Sequence, residues 1–314
     1  MSRRRRNGRE LNGLLLLDKP TGITSNLALQ KTKRIFNAAK AGHTGTLDPL
    51  ASGLLVICFG RTTKISDYLL ATDKQYDVTV KLGLVTNTGD ADGEVIDVKD
   101  ASKVTEATIL EGIRKLTGEI QQVPPMYSAL KVNGKRLHQL ARQGLEVERQ
   151  ARTITIFSFQ LLKRDGDDIL YMRVHCSKGT YVRTLVEDLG KYLGCGAHVL
   201  QLRRIVLGPF ASPIMYSLDQ LEEMAEQGIE QLDTLLLTAD EALKKWPLLT
   251  LSQTEMRDVM NGHPLPATKF EQEPKVETMP EPELELVRLY DDKRLFYGIG
   301  KRLEDGRIAP KRLN

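Results

Sequence analysis

The chain has 314 residues, of which 41% are apolar and 27% charged, the balance of an ordinary globular protein. The formal net charge is +4, and the first ten residues, with five arginines and one glutamate, account for all of it. Three widely spaced cysteines form no C-x-x-C pair, which argues against a disulfide framework or a cysteine zinc site and predicts a cytoplasmic protein. No apolar run approaches the roughly 18 residues of a membrane span, and the basic N-terminus lacks the apolar core of a secretory signal.

Hydrophobic periodicity divides most of the chain into short strands and helices. In chain order, the patterns predict a buried strand at 14–18, a helix capped by Ser25, an alternating strand at 74–83, a helix at 110–116, a hairpin of strands 153–162 and 169–176, and a helix from Tyr181 to 193. Strands do not alternate regularly with helices, as they would in a doubly wound fold. The sequence therefore predicts an α+β fold with a mixed, mainly antiparallel sheet.

The pattern of predicted secondary structure changes after residue 246, where only short strands follow. We therefore predict a large body over 1–246 and a small β-rich module over 247–314. Residues 271–285 are acidic and rich in proline, a composition typical of a solvated linker. Residues 130–152 carry the opposite charge, with six basic and two acidic side chains, in an insertion that we place at about 121–152.

The densest chemical signal is GHTGTLDPLASGLL at residues 42–55. Its glycines and Pro49 interrupt any helix or strand over 42–49, and a residue before proline is pushed out of the α region. Such a loop projects the Asp48 carboxylate and the His43 imidazole between two apolar segments. From these residues alone, two interpretations stay open: an Asp-Pro turn whose carboxylate bonds to backbone amides, or a catalytic acid.

Other polar residues also allow a structural interpretation. Tyr76 falls on the apolar face of its strand, where core packing explains it, and Arg183 lies four residues before Glu187, the spacing of a surface ion pair. The segment DADG at 90–93 lacks the remaining ligands of a calcium loop and is interpreted as a turn. The sequence contains no phosphate-binding glycine motif and no metal-ligand pattern, so we expect chemistry that uses neither a cofactor nor a metal.

Six motifs follow one another along residues 10–245. They are LLLDKP at 15–20, GHTGTLDP at 42–49, KQY at 74–76, PMYSALK at 125–131, CSKGTYVR at 176–183 and LRR at 202–204. In this order they resemble the bacterial TruB-type tRNA pseudouridine synthases. The tail after residue 246 resembles a PUA-type RNA-binding module more loosely.

The resemblance implies an enzyme that isomerises uridine-55 in the T loop of tRNA by breaking the N1–C1′ bond and joining C5 to C1′. Asp48 would be the catalytic aspartate, which either attacks C1′ or takes a sugar proton. Arg183 would pair with it and hold its pKa low against desolvation. Tyr76 would stack on the flipped base and then assist removal of the C5 proton.

The resemblance also assigns residues to binding. Tyr181 and Leu202 would line the uracil pocket, and His43 would occupy the space that extruded bases leave. Basic side chains would track the phosphates of loop RNA. The expected RNA contacts are Lys19, Lys64, Lys131, Lys135, Arg136 and Arg142.

The basic insertion favours a stand-alone enzyme over the related guide-RNA-dependent synthases of box H/ACA particles. We therefore expect tRNA as the partner, recognised through its T stem-loop, with no guide RNA, no membrane and a monomeric protein. A second class of function stays open, an RNA-binding helper that refolds tRNA. Such a helper would need the pocket and the basic surfaces but not Asp48.

Overall fold

The computed structural model describes residues 8–128, 130–132, 134–211, 213–266 and 285–313. Two segments singled out above lie outside these ranges, namely the arginines at 3–6 and the acidic stretch at 271–285 except for its last residue. In the described part of the chain, no helix is long and apolar enough to cross a membrane.

Secondary structure is numbered here in chain order. The strands are β1 (Gly13–Lys19), β2 (Ala41–Thr44), β3 (Ser52–Phe59), β4 (Lys74–Leu82), β5 (Leu84–Thr86), β6 (Val95–Val98), β7 (Gly118–Gln122), β8 (Lys131–Val132), β9 (Lys135–Arg136), β10 (Arg152–Asp165), β11 (Ile169–Cys176), β12 (Ala197–Leu207), β13 (Phe210–Ala211), β14 (Leu248–Leu251), β15 (Leu286–Asp291), β16 (Phe296–Arg302) and β17 (Ile308–Leu313). The α-helices are α1 (Ser25–Ile35), α2 (Ser66–Leu70), α3 (Glu106–Lys115), α4 (Leu137–Ala141), α5 (Val182–Leu193), α6 (Leu218–Gln227) and α7 (Gln253–Met260). Short 3-10 helices cover Gly60–Ile65, Ile229–Leu235 and Ala239–Leu243.

The main sheet runs β1–β3–β12–β4–β11–β10–β7, with β2 added beside β3 and β13 beside β12. Its strands pair antiparallel except for β12 and β3, which meet in parallel. The sheet is open, and α3 and α5 cover the face on which Val78, Val80 and Met172 form the core with Ile109 and Leu185. The predicted α+β class with a mainly antiparallel sheet is therefore confirmed.

Strand β4 shows why the sequence pattern works. Every second residue from Lys74 to Leu82 is buried and those between are half exposed, because successive side chains of a strand point to opposite faces. Across the β4–β12 pair, Tyr76 lies opposite Arg204, and Val78 lies opposite Leu202. Directly opposed residues share a face, so these side chains all lie on the side that carries α5.

The ends of two helices matter for the site. Helix α5 follows Tyr181 and ends at Gly194, whose φ of 78° is the left-handed conformation predicted for a glycine past a helix end. Helix α1 differs from the prediction, because its cap is Thr24, which accepts a hydrogen bond from the Leu27 amide at 3.1 Å. Ser25 is instead buried inside the first turn and bonds elsewhere.

The small C-terminal sheet, β14–β15–β16–β17, packs directly against the large body. Leu286 and Ile299 from this sheet join Leu14 and Trp246 in one hydrophobic cluster. At the same junction, Arg288 donates a hydrogen bond to the Trp246 carbonyl at 3.0 Å. The change of pattern at residue 246 thus marks a change of sheet, while the core continues across it.

Candidate active site

Asp48 lies in the loop between β2 and β3, and that loop is fastened at several points. The Ser25 hydroxyl bonds to both backbone groups of Leu47, at 2.9 Å to its carbonyl and 2.8 Å to its amide. The carbonyl of Pro49 accepts from the Gly22 amide at 2.8 Å, and that of Asp48 accepts from Ala51 at 3.1 Å. A turn is therefore present, but it is closed by backbone groups, which leaves the Asp48 carboxylate available for another partner.

Gly53 fixes where this loop meets the centre of the sheet. It pairs with Arg204 in the parallel β3–β12 contact and has a φ of 95°. A Cβ at this position would lie 2.3 Å from the Arg204 carbonyl oxygen, so the close approach requires glycine. The Asp48 loop is thereby held beside β12.

Arg183 is the partner of the Asp48 carboxylate. Its Nε lies 2.9 Å from Oδ2 of Asp48, and its Nη1 lies 3.3 Å from Oδ2 of Asp90. Nη1 and Nη2 also donate to the carbonyls of Thr88 and Tyr127, both at 2.7 Å. With a side chain only 5% exposed, Arg183 is not a surface residue, so the interpretation of its spacing as a surface ion pair with Glu187 is wrong, and it pairs with Asp48 as the resemblance implied.

Asp90 is a site residue that the sequence did not reveal. The turn predicted at DADG exists, but the Asp90 side chain is 7% exposed and its Oδ1 accepts from the Thr88 hydroxyl at 2.6 Å. The neighbouring Ala91 amide bonds to the Val199 carbonyl at 2.9 Å, which ties the turn to β12. No local pattern signals this placement, since it depends on a contact about 100 residues along the chain.

The environment of Asp48 raises its pKa. Desolvation is the largest cause, the charge of Arg183 opposes it, Asp90 reinforces it, and a hydrogen bond from Arg183 and the charge of Lys19 oppose it. Arg183 lowers the pKa of Asp48, as expected, but the net shift is upward because desolvation outweighs it. The ion pair reduces the increase due to desolvation and does not cancel it.

A cavity of about 320 Å³ opens beside Asp48 and contains the residues expected to bind the base. Tyr76 from β4, Leu202 from β12 and Tyr181 at the start of α5 line it together with Asp48 and Arg183. The structure thus brings together residues that are up to 154 positions apart in the sequence.

Two of the cavity residues have well-defined supports. The backbone of Tyr181 is held by the Gln122 side chain, which accepts from its amide at 2.8 Å and donates to its carbonyl at 3.1 Å. Tyr76 is 8% exposed, and burial raises the pKa of its phenol. Tyr76 is therefore both a core residue, as its strand position suggested, and part of the cavity wall.

His43 does not line this cavity. It lines a second cavity of about 720 Å³, which shares Asp48 and Arg183 with the first and also contains Arg142. Burial lowers the pKa of His43, which favours the neutral imidazole at pH 7. The carboxylate thus faces one cavity with aromatic walls and one that reaches the basic insertion.

Five of the six predicted RNA contacts lie in two parts of the structure, and the sixth, Lys19, is buried. Lys131, Lys135 and Arg142 are exposed on the insertion between β7 and β10, and Arg136 belongs to β9 of the same segment. Lys64 is also exposed, and its Nζ donates to the Leu313 carbonyl at 2.7 Å.

Lys19 contradicts its predicted role. It is 0% exposed, and its Nζ donates to the carbonyls of Pro20, Ile23 and Pro49 at 2.8, 2.7 and 3.4 Å. A buried ammonium with three backbone acceptors offers no surface to a phosphate, so the RNA contact is wrong. Burial, which is partly opposed by the charge of Asp48, lowers the pKa of Lys19 to about 8.

The site can supply carboxylate chemistry in a cavity that aromatic side chains help to line. Asp48 provides a nucleophile or base, Arg183 a fixed cation, and Tyr76 a phenol on the wall of the same cavity. Among residues 8–266 and 285–313, apart from the three single gaps, no three His, Cys, Asp or Glu side chains are grouped so as to hold a metal ion.

Comparison with known protein families assigns the class to which this fold and site belong. The TruB family pseudouridylate synthase N-terminal domain matches residues 33–182, and the tRNA pseudouridylate synthase B C-terminal domain matches residues 183–244. The C-terminal part of pseudouridine synthase II TruB matches residues 247–313. The chain therefore belongs to the TruB family of pseudouridylate synthases.

Curated relatives carry the name tRNA pseudouridine synthase B. The protein of that name from Aeromonas salmonicida (strain A449) is 49% identical, with 100% of this chain and 97% of the relative covered. That from Pseudomonas putida (strain ATCC 700007 / DSM 6899 / JCM 31910 / BCRC 17059 / LMG 24140 / F1) is 47% identical, with 100% and 99% covered. Among solved structures, a Cbf5-Nop10-Gar1 complex contains a chain that is 27% identical and aligns with a TM-score of 0.70, covering 94% of this chain and 79% of its own.

Proposed function

We propose that this protein isomerises uridine-55 in the T loop of tRNA to pseudouridine and uses neither a cofactor nor a metal. The observation that carries the proposal is the Asp48–Arg183 ion pair on the wall of a cavity lined by Tyr76, Tyr181 and Leu202. Identity of 49% over essentially the full length to a protein named tRNA pseudouridine synthase B supports the same substrate.

The reaction needs an ionised carboxylate close to the sugar of a flipped nucleotide. Asp48 either attacks C1′ as the N1–C1′ bond breaks or takes a proton from the sugar, and Arg183 orients its carboxylate. The uracil, stacked on Tyr76, then turns so that C5 bonds to C1′. Loss of the C5 proton, in which Tyr76 assists, restores the aromatic character of the ring.

Binding of the T loop requires a positive surface next to a place for unstacked bases. The exposed side chains of the insertion supply the charge, and the larger cavity connects them to Asp48 through Arg142. His43, whose pKa is lowered by burial, occupies the space from which the bases are extruded. We assign residues 1–246 to catalysis and 247–314 to a PUA-like module that adds RNA affinity.

We further propose that the protein works alone in the cytoplasm, as a monomer and without a guide RNA. The support is the much higher identity to the curated synthases B than to the chain of the Cbf5 complex, 49% against 27%, together with the basic insertion. A second role, refolding of tRNA, is favoured by the same exposed lysines, because they lie on a segment separate from the catalytic loop.

The direct test is incubation of the purified protein with an unmodified tRNA transcript, followed by mapping of pseudouridine along the whole RNA. We expect stoichiometric conversion at position 55 and at no other uridine. The control transcript carries cytidine at position 55. Conversion at another position, or none at all by a folded protein, would contradict the proposed function.

The basic insertion should control the salt dependence of binding. We expect simultaneous replacement of Lys131, Lys135, Arg136 and Arg142 by Ala to weaken tRNA binding and to reduce the slope of log affinity against log salt by about 0.7–0.9 per lost phosphate contact. Titrations at several salt concentrations measure this slope. The matched control removes four exposed lysines elsewhere on the surface, at positions 99, 163, 191 and 244, and should keep the wild-type slope. Equal slopes for the two quadruple variants would show that the insertion makes no phosphate contacts.

Tyr76 allows stacking to be separated from proton removal. Tyr76→Phe keeps the ring, so most of the ~1–3 kcal/mol of base stacking should survive while pseudouridine release falls sharply. Tyr76→Leu should lose binding as well. Affinity and single-turnover rates measure the two effects, with Tyr171→Phe, a half-exposed tyrosine of β11, as control. Near-normal turnover by Tyr76→Phe would mean that the phenol oxygen takes no part.

A further inference from the structure

Arg204 is a buried cation that the proposed mechanism does not use. It is 1% exposed and is among the largest fully buried side chains of the described residues. Its Nε donates to the Leu54 carbonyl at 2.7 Å, whereas its Nη2 is buried with no hydrogen-bond partner in that part of the chain. No ion pair between Arg204 and a described carboxylate is formed either, although buried arginine is normally paired.

Arg204 lines the cavity of about 320 Å³ beside Asp48, so its charge lies at the wall of that cavity. Arg204 lies directly opposite Tyr76 across the β12–β4 pair, and both side chains line the cavity that holds Asp48. A Cβ built on Gly45 would lie 3.6 Å from Nη1 of Arg204, which places the guanidinium beneath the catalytic loop. The guanidinium therefore lies next to that loop, on the strand face that Arg204 shares with Tyr76.

Two other buried cations make the local charge more unusual. Lys19 is 0% exposed and Lys74 is 8% exposed. Burial is the main cause that lowers the pKa of each to about 8, and the charge of Arg204 contributes to both. The ammonium groups of both lysines donate to backbone carbonyls. Nη2 of Arg204 has no such partner among the described residues, so it is the donor available to an anion.

The phenol of Tyr76 is the group best placed to become that anion. Burial, Cys176 and Asp48 raise its pKa, whereas the charge of Arg204 and a hydrogen bond from it lower the pKa. Arg204 thus opposes the other surroundings of the phenol. A hydrophobic residue of similar volume would fill the same space without the cost of an unpaired charge.

We propose that Arg204 is a positioning residue of the reaction, which orients the Tyr76 oxygen and stabilises its negative charge while that oxygen removes the C5 proton. This inference rests on the proposed function.

The step balances without any additional reactant. The phenol first loses its proton to solvent, and after C5 has bonded to C1′ the Tyr76 oxygen takes the C5 proton. The electrons of the C5–H bond re-form the C5–C6 double bond, and N1 gains a proton from solvent. The ring therefore loses one proton and gains one, and Tyr76 ends as the neutral phenol.

The test uses single turnovers of full-length protein on a transcript tritiated at C5 of uridine-55, because tritium release reports removal of this proton. We expect Arg204→Gln to slow release by about 10- to 100-fold, the range of a lost charge-assisted hydrogen bond. Arg204→Lys, which keeps the charge, should recover part of the rate. Arg203→Gln is the matched control, because Arg203 points to the opposite face and pairs with Asp18 at 2.7 Å. It should release tritium at the wild-type rate.

A second comparison separates positioning from simple support of the fold. In a Tyr76→Phe background, where the oxygen is absent, Arg204→Gln should cause little further loss. An equal loss in both backgrounds, or a wild-type rate for Arg204→Gln, would overturn the inference. If Arg204→Gln does not fold, Arg204→Lys is compared in the two backgrounds and decides by the same criterion. Absence of tritium release from the wild-type protein would instead contradict the proposed function itself.

Discussion

Replacing Asp48 with Asn should abolish pseudouridine formation while leaving tRNA affinity within a few-fold of wild type. Asn has nearly the same shape but can neither attack C1′ nor take a sugar proton, so the single-turnover rate should fall by at least ~10²–10⁴-fold. Binding should persist because the cavity walls and the exposed basic insertion are unchanged. Rates with tRNA bound in advance, together with equilibrium titration, measure the two quantities separately.

Asp77→Asn is the matched control for Asp48→Asn. Asp77 lies next to Tyr76 on β4 and pairs with Arg173 at 2.7 Å, away from the cavity, so its loss should not alter the rate. Asp48→Asn also distinguishes catalysis from the second candidate role, because a variant without the catalytic carboxylate should still refold tRNA. A rate for Asp48→Asn above a few per cent of wild type would show that another group performs the chemistry.

Arg183→Met should produce the second large effect, on both stability and pH dependence. Removing one partner of a buried ion pair costs roughly 3–5 kcal/mol of unfolding free energy, because Asp48 and Asp90 then face each other without a cation. Desolvation already raises the pKa of Asp48, and Arg183 is the main influence that opposes it. Its loss should therefore raise this pKa further.

The sign of the pH effect follows from the form of Asp48 that works. The carboxylate must be ionised, so activity falls as pH decreases through its pKa, and a higher pKa moves that fall to higher pH. We expect the acidic limb of the single-turnover profile to shift upward in Arg183→Met and to shift less in Arg183→Lys, which keeps the charge. Chemical denaturation measures the stability of each variant. A lower rate with an unmoved acidic limb would show that Arg183 acts only through the fold.

The sequence predicted the parts of the site that depend on local rules. Alternation along residues 74–83 predicted the face of Tyr76. The prediction that no strand forms over 42–49 is wrong at residues 42–44, because these pair with β3 as part of β2, and the loop that carries Asp48 begins after Thr44. Arg183 was placed correctly in the first turn of a helix. Local rules could not predict which residues surround Arg183. The turn that carries Asp90 reaches Arg183 through a contact with β12, which is distant in the sequence.

Burial of charge was the least predictable property. Lys19 follows an apolar strand and resembles an exposed strand end, yet three carbonyls from two loops enclose it. Arg203 and Arg204 are identical neighbours, but one is 41% exposed at its side chain and the other 1% exposed as a residue. Because side chains alternate along a strand, the sequence predicts that Arg203 and Arg204 point to opposite faces of the sheet. It does not predict which of the two faces is buried.

The cluster that Leu286 and Ile299 share with Leu14 and Trp246 has a consequence for folding. The chain segments on either side of residue 246 cannot melt one after the other without exposing this common interior to water. Loss of the terminal sheet would uncover β1, the strand whose last residue, Lys19, donates a hydrogen bond to the Pro49 carbonyl of the catalytic loop at 3.4 Å. Heating should thus give a single cooperative transition, with the same midpoint whether it is followed by the near-UV signal of Trp246 or by loss of activity. The terminal sheet therefore stabilises the fold of the whole protein, in addition to any contact that it makes with RNA.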